Sequence, residues 1–213
     1  MTVSNKTTQP SKKEVIEQLS AERHELLDLC HELTPGEWNE PSLCVGWRVR
    51  DVVAHVAASQ NELGTYLRTF SEDGGNRLIV DKRKEVPLKE LLQEFEASVE
   101  PNWLTRLLAA MFLWDNWVHQ QDIRWALGED RQRKQDPARL RIILSGPTMR
   151  MVKRRKNFRF EATDLGWQAG DGAVVRGPAE AIIMALAGRP AALARLDGPG
   201  LPAFKALFGN IPA

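Results

Sequence analysis

Roughly the first 130 residues carry helical periodicity, and helices with one apolar stripe must bury it against one another. SKKEVIEQLSAERHELLDLCHEL places Ser11 at an N-cap with Glu14 three residues on, the pattern of a capping box. Val15, Leu19, Leu26, Leu29 and Leu33 supply its stripe. TPGEWNEPS then breaks the helix with two prolines and a glycine. A second helix is expected over residues 49–70, with Val49, Val52, Val53, Val56, Leu63 and Leu67 on one side. SEDGGN reads as a loop, a third helix covers residues 87–99, and a fourth runs from Pro101 to a stop at Gly128. Four such helices predict an antiparallel four-helix bundle.

The texture then changes. EDRQRKQDP reads as a charged linker, and a helical stretch follows to about Met151. Short strand-like runs, NFRFEATD, GWQAG and GAVVRG, precede the helix PAEAIIMALAG and a last helix over residues 201–208. The expected fold class is α+β: a disordered lead-in over residues 1–10, a bundle over 11–130 and a small α+β domain with a short β-sheet over 135–213.

Charge and hydropathy narrow the partners. With 29 basic against 28 acidic residues there is no electrostatic reason to expect nucleic acid. The basic run KRRK, Lys153 to Lys156, lacks interleaved aromatics and reads as a solvated turn. No apolar run approaches the roughly 20 residues that span a bilayer. The first residues, MTVSNKTTQPSKK, lack the apolar centre of a signal peptide, so the expected location is cytoplasmic. Cys30 and Cys44 then read as reduced, buried thiols, and neither stands in a C-x-x-C pair.

The chemistry concentrates in WDNWVHQQDIRWALG, residues 114–128. On a helical wheel Asp115, His119 and Asp122 fall in the arc of Leu104, Leu107, Leu108, Met111, Val118 and Ala126, with Asn116, Gln120 and Arg124 pointing to solvent. Buried carboxylates must be paired, protonated or bound to a metal. Asp115 and His119 stand one turn apart and can share a divalent ion, with His55 of the second helix as a third ligand. Two imidazoles and one carboxylate leave coordination positions open, as catalytic sites do. Glu62 lies on the His55 face as a further possible ligand, whereas His24 and His31 read as surface. The plainer alternatives are a satisfied core His55, a hydrogen bond between Asp115 and His119, and an Asp122 paired with Arg124 or another arginine. Arg189, in the turn GRP, could present its guanidinium to an anionic substrate.

EWNEPSLCVGWRVRDVVAHVA resembles the N-terminal signature of the mycothiol-dependent maleylpyruvate isomerase family: a tryptophan, a P-S-x-C-x-G-W turn, then a helix ending in a histidine. Here these are Trp38, Pro41, Ser42, Cys44, Gly46, Trp47 and His55. WDNWVHQQDIRWALG resembles the second signature, a carboxylate one turn before a histidine and then D-x-x-x-A-L-G. GPAEAIIMALAGRPAALARLDGPGLP is similar to the family's small C-terminal domain, related to sterol carrier proteins.

The resemblance implies a DinB-like bundle holding a divalent metal, usually zinc, on His55, Asp115 and His119. The family's acid is typically glutamate, so the shorter Asp115 is a departure. Asp122 would orient a ligand histidine or shuttle a proton. A thiol such as mycothiol entering an open position would become a metal-bound thiolate, able to attack an electrophilic carbon for isomerisation or S-transfer. The competing readings are a non-catalytic metal- or lipid-binding protein and a metal-dependent hydrolase.

Overall fold

The computed structural model describes residues 10–62, 72–153 and 156–209. Ser11 begins the first helix, α1 (Lys12–Glu32), as its spacing to Glu14 predicts. The Glu14 N–H donates to Ser11 Oγ at 3.2 Å and the Ser11 N–H to Glu14 Oε2 at 2.7 Å. The bundle continues with α2 (Val49–Ser59), α3 (Glu72–Asp81), α4 (Leu88–Ser98), α5 (Trp103–Leu107) and α6 (Ala109–Leu127). Helix α2 packs against α3, α4 and α6, and α6 also packs along α1. A helix surrounded in this way can be apolar all round, and nearly every residue of α2 is buried.

Four expectations change. Helix α2 stops at Ser59 rather than near Phe70, and residues 63–71, with Leu63 and Leu67, lie outside the described residues, as do 1–9, 154–155 and 210–213. SEDGGN is no loop from Glu72 onward, because α3 begins there. Its two glycines cost about 1 kcal/mol each against alanine, and burial of Ile79 and Val80 farther along the helix offsets this. The fourth helix is broken at Leu108, where Asn102 caps the short α5 and α6 starts anew. The wheel therefore joined two separate helices. Leu107 and Met111 are 60% and 41% exposed, while Asn116 and Gln120, expected in water, are fully buried. Helix α6 lies at the centre of the bundle and has no single solvent face.

Beyond Gly128, α7 (Pro137–Ser145) is capped by Asp136, whose Oδ1 accepts the Ala138 N–H, and α8 (Pro147–Met151) follows a break at Gly146. Strand β1 (Phe158–Ala162) lies between β2 (Trp167–Ala169), antiparallel, and β3 (Ala173–Gly177), parallel. In that sheet Phe160 stands opposite both Ala169 and Val175. Helices α9 (Ala179–Leu186) and α10 (Leu201–Ala206) complete the expected α+β pattern. Gly172, at φ 145°, must be glycine: a Cβ there would stand 2.3 Å from the Asn157 carbonyl oxygen. One apolar cluster runs from Val15 and Leu19 of α1 through Phe112 and Leu113 of α6 to Phe160 and Ile182.

The charged stretch after Gly128 is pinned to the bundle. Arg133 and Arg139 bracket the Glu22 carboxylate, with oxygen to nitrogen distances of 2.7 and 2.5 Å, and both also bond Glu25. Arg131 holds Glu37 at 2.7 Å. Hydrogen bonds from Arg131 and Thr34 hold the Glu37 carboxyl down at about 2. A depressed folded pKa stabilises above the unfolded value of about 4.3 and loses that contribution as pH falls toward 2. Melting curves of wild type and Glu37→Gln should therefore differ at pH 6 and converge near pH 2; a gap that persisted at pH 2 would refute this origin. Of KRRK, Lys153 and Lys156 are exposed, as a solvated turn requires. Among the described residues no helix is long and apolar enough to cross a membrane.

Candidate metal centre

Three local devices build the site. The chain from Pro41 to Arg48 closes into a tight loop: the Ser42 N–H donates to the Trp47 carbonyl at 2.9 Å, and Gly46 supplies a φ of 80°. The Arg48 N–H then donates to Asp51 Oδ2, and α2 carries His55 into the bundle. The same loop is clipped to α6, since the Leu43 N–H donates to the Asp122 carbonyl oxygen at 3.2 Å. The third device ends α9. Gly188, at φ 93°, donates to Ala185 and Arg189 to Met184, a Schellman arrangement in which only glycine sits comfortably. Arg189 is thereby swung back onto α6.

His55, Asp115 and His119 come together. His55 Nε2 stands 3.5 Å from Asp115 Oδ2, and His119 Nε2 stands 3.5 Å from Asp115 Oδ1. One donor atom from each of the three lies within 4.8 Å of the others. Donors around a tetrahedral ion with bonds of about 2.0–2.1 Å stand about 3.3–3.4 Å apart, and the two 3.5 Å separations are close to that. The His55 side chain is only 2% exposed, yet beyond the 3.5 Å contact with Asp115 neither of its ring nitrogens has a hydrogen-bond partner among the described residues. An imidazole left that way is costly unless something else takes its lone pair. The shorter Asp115 thus reaches both histidines.

His119 is oriented from behind. Its Nδ1 lies 3.0 Å from Asp122 Oδ2; an N–H donated there turns Nε2 toward Asp115. Asp122 is fully buried and pairs with Arg189, which donates through Nε at 2.8 Å and Nη2 at 2.5 Å. Its partner is therefore Arg189, in agreement with an arginine elsewhere and not with Arg124. Burial opposes both charges, but each holds the other ionised: Asp122 lies below the usual carboxylate range and Arg189 above its own. Burial likewise opposes ionisation of Asp115 and His119, and their mutual attraction outweighs it, lowering the acid and raising the imidazole.

Arg189 also donates to the Ala187 carbonyl oxygen at 2.7 Å and lies 3.4 Å from Cys44 Sγ, while lining the same cavity as Asp115 and His119. Glu62 pairs with Lys82 and Arg83 instead of approaching His55. His24 and His31 stay half-exposed beside Glu100 and Glu96, as a surface reading requires.

Two neighbours were not expected. Cys44 Sγ lies 3.8 Å from His119 Nδ1, and Cys44, His119 and Asp122 form a second group of convergent donors. Both cysteines are free, as expected, but only Cys30 is buried. Trp47 covers the imidazoles, with ring centroids 5.4 Å from His55 and 6.1 Å from His119. The signal for both was their place in the P-S-x-C-x-G-W turn ahead of His55. The carboxylate and His119 open onto a cavity of about 470 Å³, also lined by Asn76, Arg77, Trp114 and Val118.

Residues 19–101 match the family model of the mycothiol maleylpyruvate isomerase N-terminal domain, a span that contains His55 and ends before Asp115 and His119. Among solved structures the chain is similar to a crystal structure of the mycothiol-dependent maleylpyruvate isomerase, at 16% identity and a TM-score of 0.60. The likeness covers 84% of this chain and 90% of that one. A histidine-to-alanine mutant of the mycothiol-dependent maleylpyruvate isomerase gives 15% identity and a TM-score of 0.59 over the same shares. At such identity these structures speak to fold alone, and no curated protein sequence gives a significant match. Residues 19–101 therefore match the mycothiol maleylpyruvate isomerase N-terminal domain, in a chain whose fold is similar to that of the mycothiol-dependent maleylpyruvate isomerase.

Proposed function

We propose that the protein is a zinc-dependent enzyme that uses a low-molecular-weight thiol such as mycothiol to isomerise, or transfer sulfur to, a small electrophilic substrate. The observation that carries this is the convergence of His55, Asp115 and His119 beside a cavity that Asp115 and His119 line, with the buried His55 imidazole making no hydrogen bond among the described residues. A divalent ion held there would favour the thiolate form of an entering thiol and so prepare it to attack an electrophilic carbon.

The residues around it do the positioning. Asp122 keeps the proton of His119 on Nδ1, so that Nε2 is free to bind. Arg189 holds Asp122 ionised for that purpose, and the Trp47 ring keeps water from the two imidazoles. Arg77 lines the same cavity and has no ion-pair partner among the described residues, which suits it to a substrate carboxylate. Arg77→Ala should raise KM for a carboxylate-bearing electrophile about tenfold with kcat within twofold; an unchanged KM would remove Arg77 from the substrate site.

The test of the reading is metal content by mass spectrometry, wild type beside His119→Ala, followed by turnover of maleylpyruvate with and without mycothiol. About one equivalent of zinc in the wild type, lost in the variant, together with thiol-dependent turnover, is the expected result. Absence of metal after incubation with zinc would refute the metal, and turnover without thiol would point to hydrolysis by activated water instead.

A further inference from the structure

Among the described residues Arg23 is the largest charged side chain wholly inside the bundle, at 0% exposure, and no carboxylate of those residues touches it. Each hydrogen bond it makes there goes to a neutral acceptor. Nε donates to the Val99 carbonyl oxygen at 2.9 Å, and Nη2 to the Ser98 carbonyl oxygen at 2.7 Å and Ser98 Oγ at 3.4 Å. Nη1 donates to the Val56 carbonyl oxygen at 3.2 Å and to Asn116 Oδ1 at 2.9 Å. All five N–H groups of the guanidinium are thus placed, and the Phe95 ring lies 5.3 Å from its central carbon. The carbonyls of Ser98 and Val99 close α4, so they present the negative end of a helix dipole to the cation. Burial lowers its pKa to about 10, with Asp115 foremost among the charges opposing that, so it remains cationic at neutral pH.

Two of these partners have a particular address. Val56 follows His55 on α2, and Asn116 follows Asp115 on α6. One guanidinium nitrogen therefore joins, across the helix interface, the backbone behind one metal-ligand candidate and the side chain next to another. Apolar packing would hold α2 and α6 together without fixing their separation closely. A metal centre tolerates ligand displacements of only about 0.2 Å, which calls for a rigid, directional spacer. A planar guanidinium bonded on every side is one.

We propose that Arg23 is a positioning residue for the metal centre: by bonding Val56 and Asn116 it sets the distance between the helices that carry His55 and Asp115. This rests on the metal reading given above.

The test measures zinc affinity by competition with a chromophoric chelator, alongside melting of the zinc-free protein. Arg23→Met alone is a poor probe, since it strips five acceptors and can unfold the chain. Asn116→Leu removes only the link to α6, and Phe204→Leu removes packing of α10 on Phe158, Phe160 and Phe208, away from Arg23 and the three candidate ligands. Asn116→Leu should weaken zinc binding 10- to 100-fold, while Phe204→Leu stays within twofold at a comparable loss of melting temperature. Arg23→Lys, which keeps the charge and three donors, should fall between wild type and Arg23→Met in affinity. Equal affinity in Asn116→Leu and wild type, or losses that merely track melting temperature across the set, would overturn the proposal. A wild type that binds no zinc would overturn the metal reading and this inference together.

Discussion

Asp122→Asn should weaken zinc binding 10- to 100-fold and also lower the melting midpoint, because Arg189 loses its buried counter-charge; the loss of affinity is one of the two largest effects expected of a single substitution here. The carboxylate has acceptors on both sides: Oδ2 takes the His119 Nδ1–H, and both oxygens take N–H groups of Arg189. An amide of the same shape has one acceptor and one donor. With its oxygen toward Arg189, its NH₂ faces His119 Nδ1 and drives the ring proton to Nε2, the nitrogen that must be free to bind. Turned the other way, its NH₂ faces a guanidinium and two donors oppose each other. Both orientations damage the site, and neither removes volume from the core. Chelator competition reads the affinity and a thermal melt reads the fold. Affinity within threefold of wild type would show that Asp122 does not set the His119 tautomer.

Glu22→Ala is the second, and its effect is on stability. The Glu22 side chain is fully buried between Arg133 and Arg139, and its loss leaves two largely buried guanidiniums sharing the Glu25 carboxylate alone. Removing one member of a buried ionic cluster costs about 3–5 kcal/mol, because the remaining charges stay desolvated. At about 2–4 °C per kcal/mol for a chain of this length, the midpoint should fall by roughly 6–20 °C. The exposed pair Lys13–Glu17 is the control, and Glu17→Ala should change stability by less than about 0.5 kcal/mol. Equal small losses in both variants would mean that the Glu22 cluster is solvated in the native protein.

Much of this could be read from the sequence where the cause is local. Ser11 and Glu14 announce a helix start because a capping box spans four residues, and Gly188 announces a stop because few other residues tolerate its φ. The polar trio of α6 was visible as a break in an apolar pattern, and His55 through its resemblance to a family motif. What stayed hidden depends on long-range packing. Asn116 and Gln120 looked solvent-facing because a wheel assumes one buried side, whereas α6 is enclosed. Arg23 stands beside His24 in a charged run of α1, and nothing local says that one faces the core and the other water. The pairing of Asp122 with Arg189 spans 67 positions, and its first cue is the turn at Gly188.

The loop at Cys44 and the clamp at Arg189 meet across 145 positions of sequence. During synthesis, His55, Asp115 and His119 therefore leave the ribosome well before the guanidinium that balances Asp122. A nascent chain paused between them would carry every ligand of the centre together with a desolvated anion lacking its counter-charge, a state that favours opening over closure. A chain truncated before α9 would therefore carry His55, Asp115 and His119 without the Arg189 contact that holds Asp122 in place.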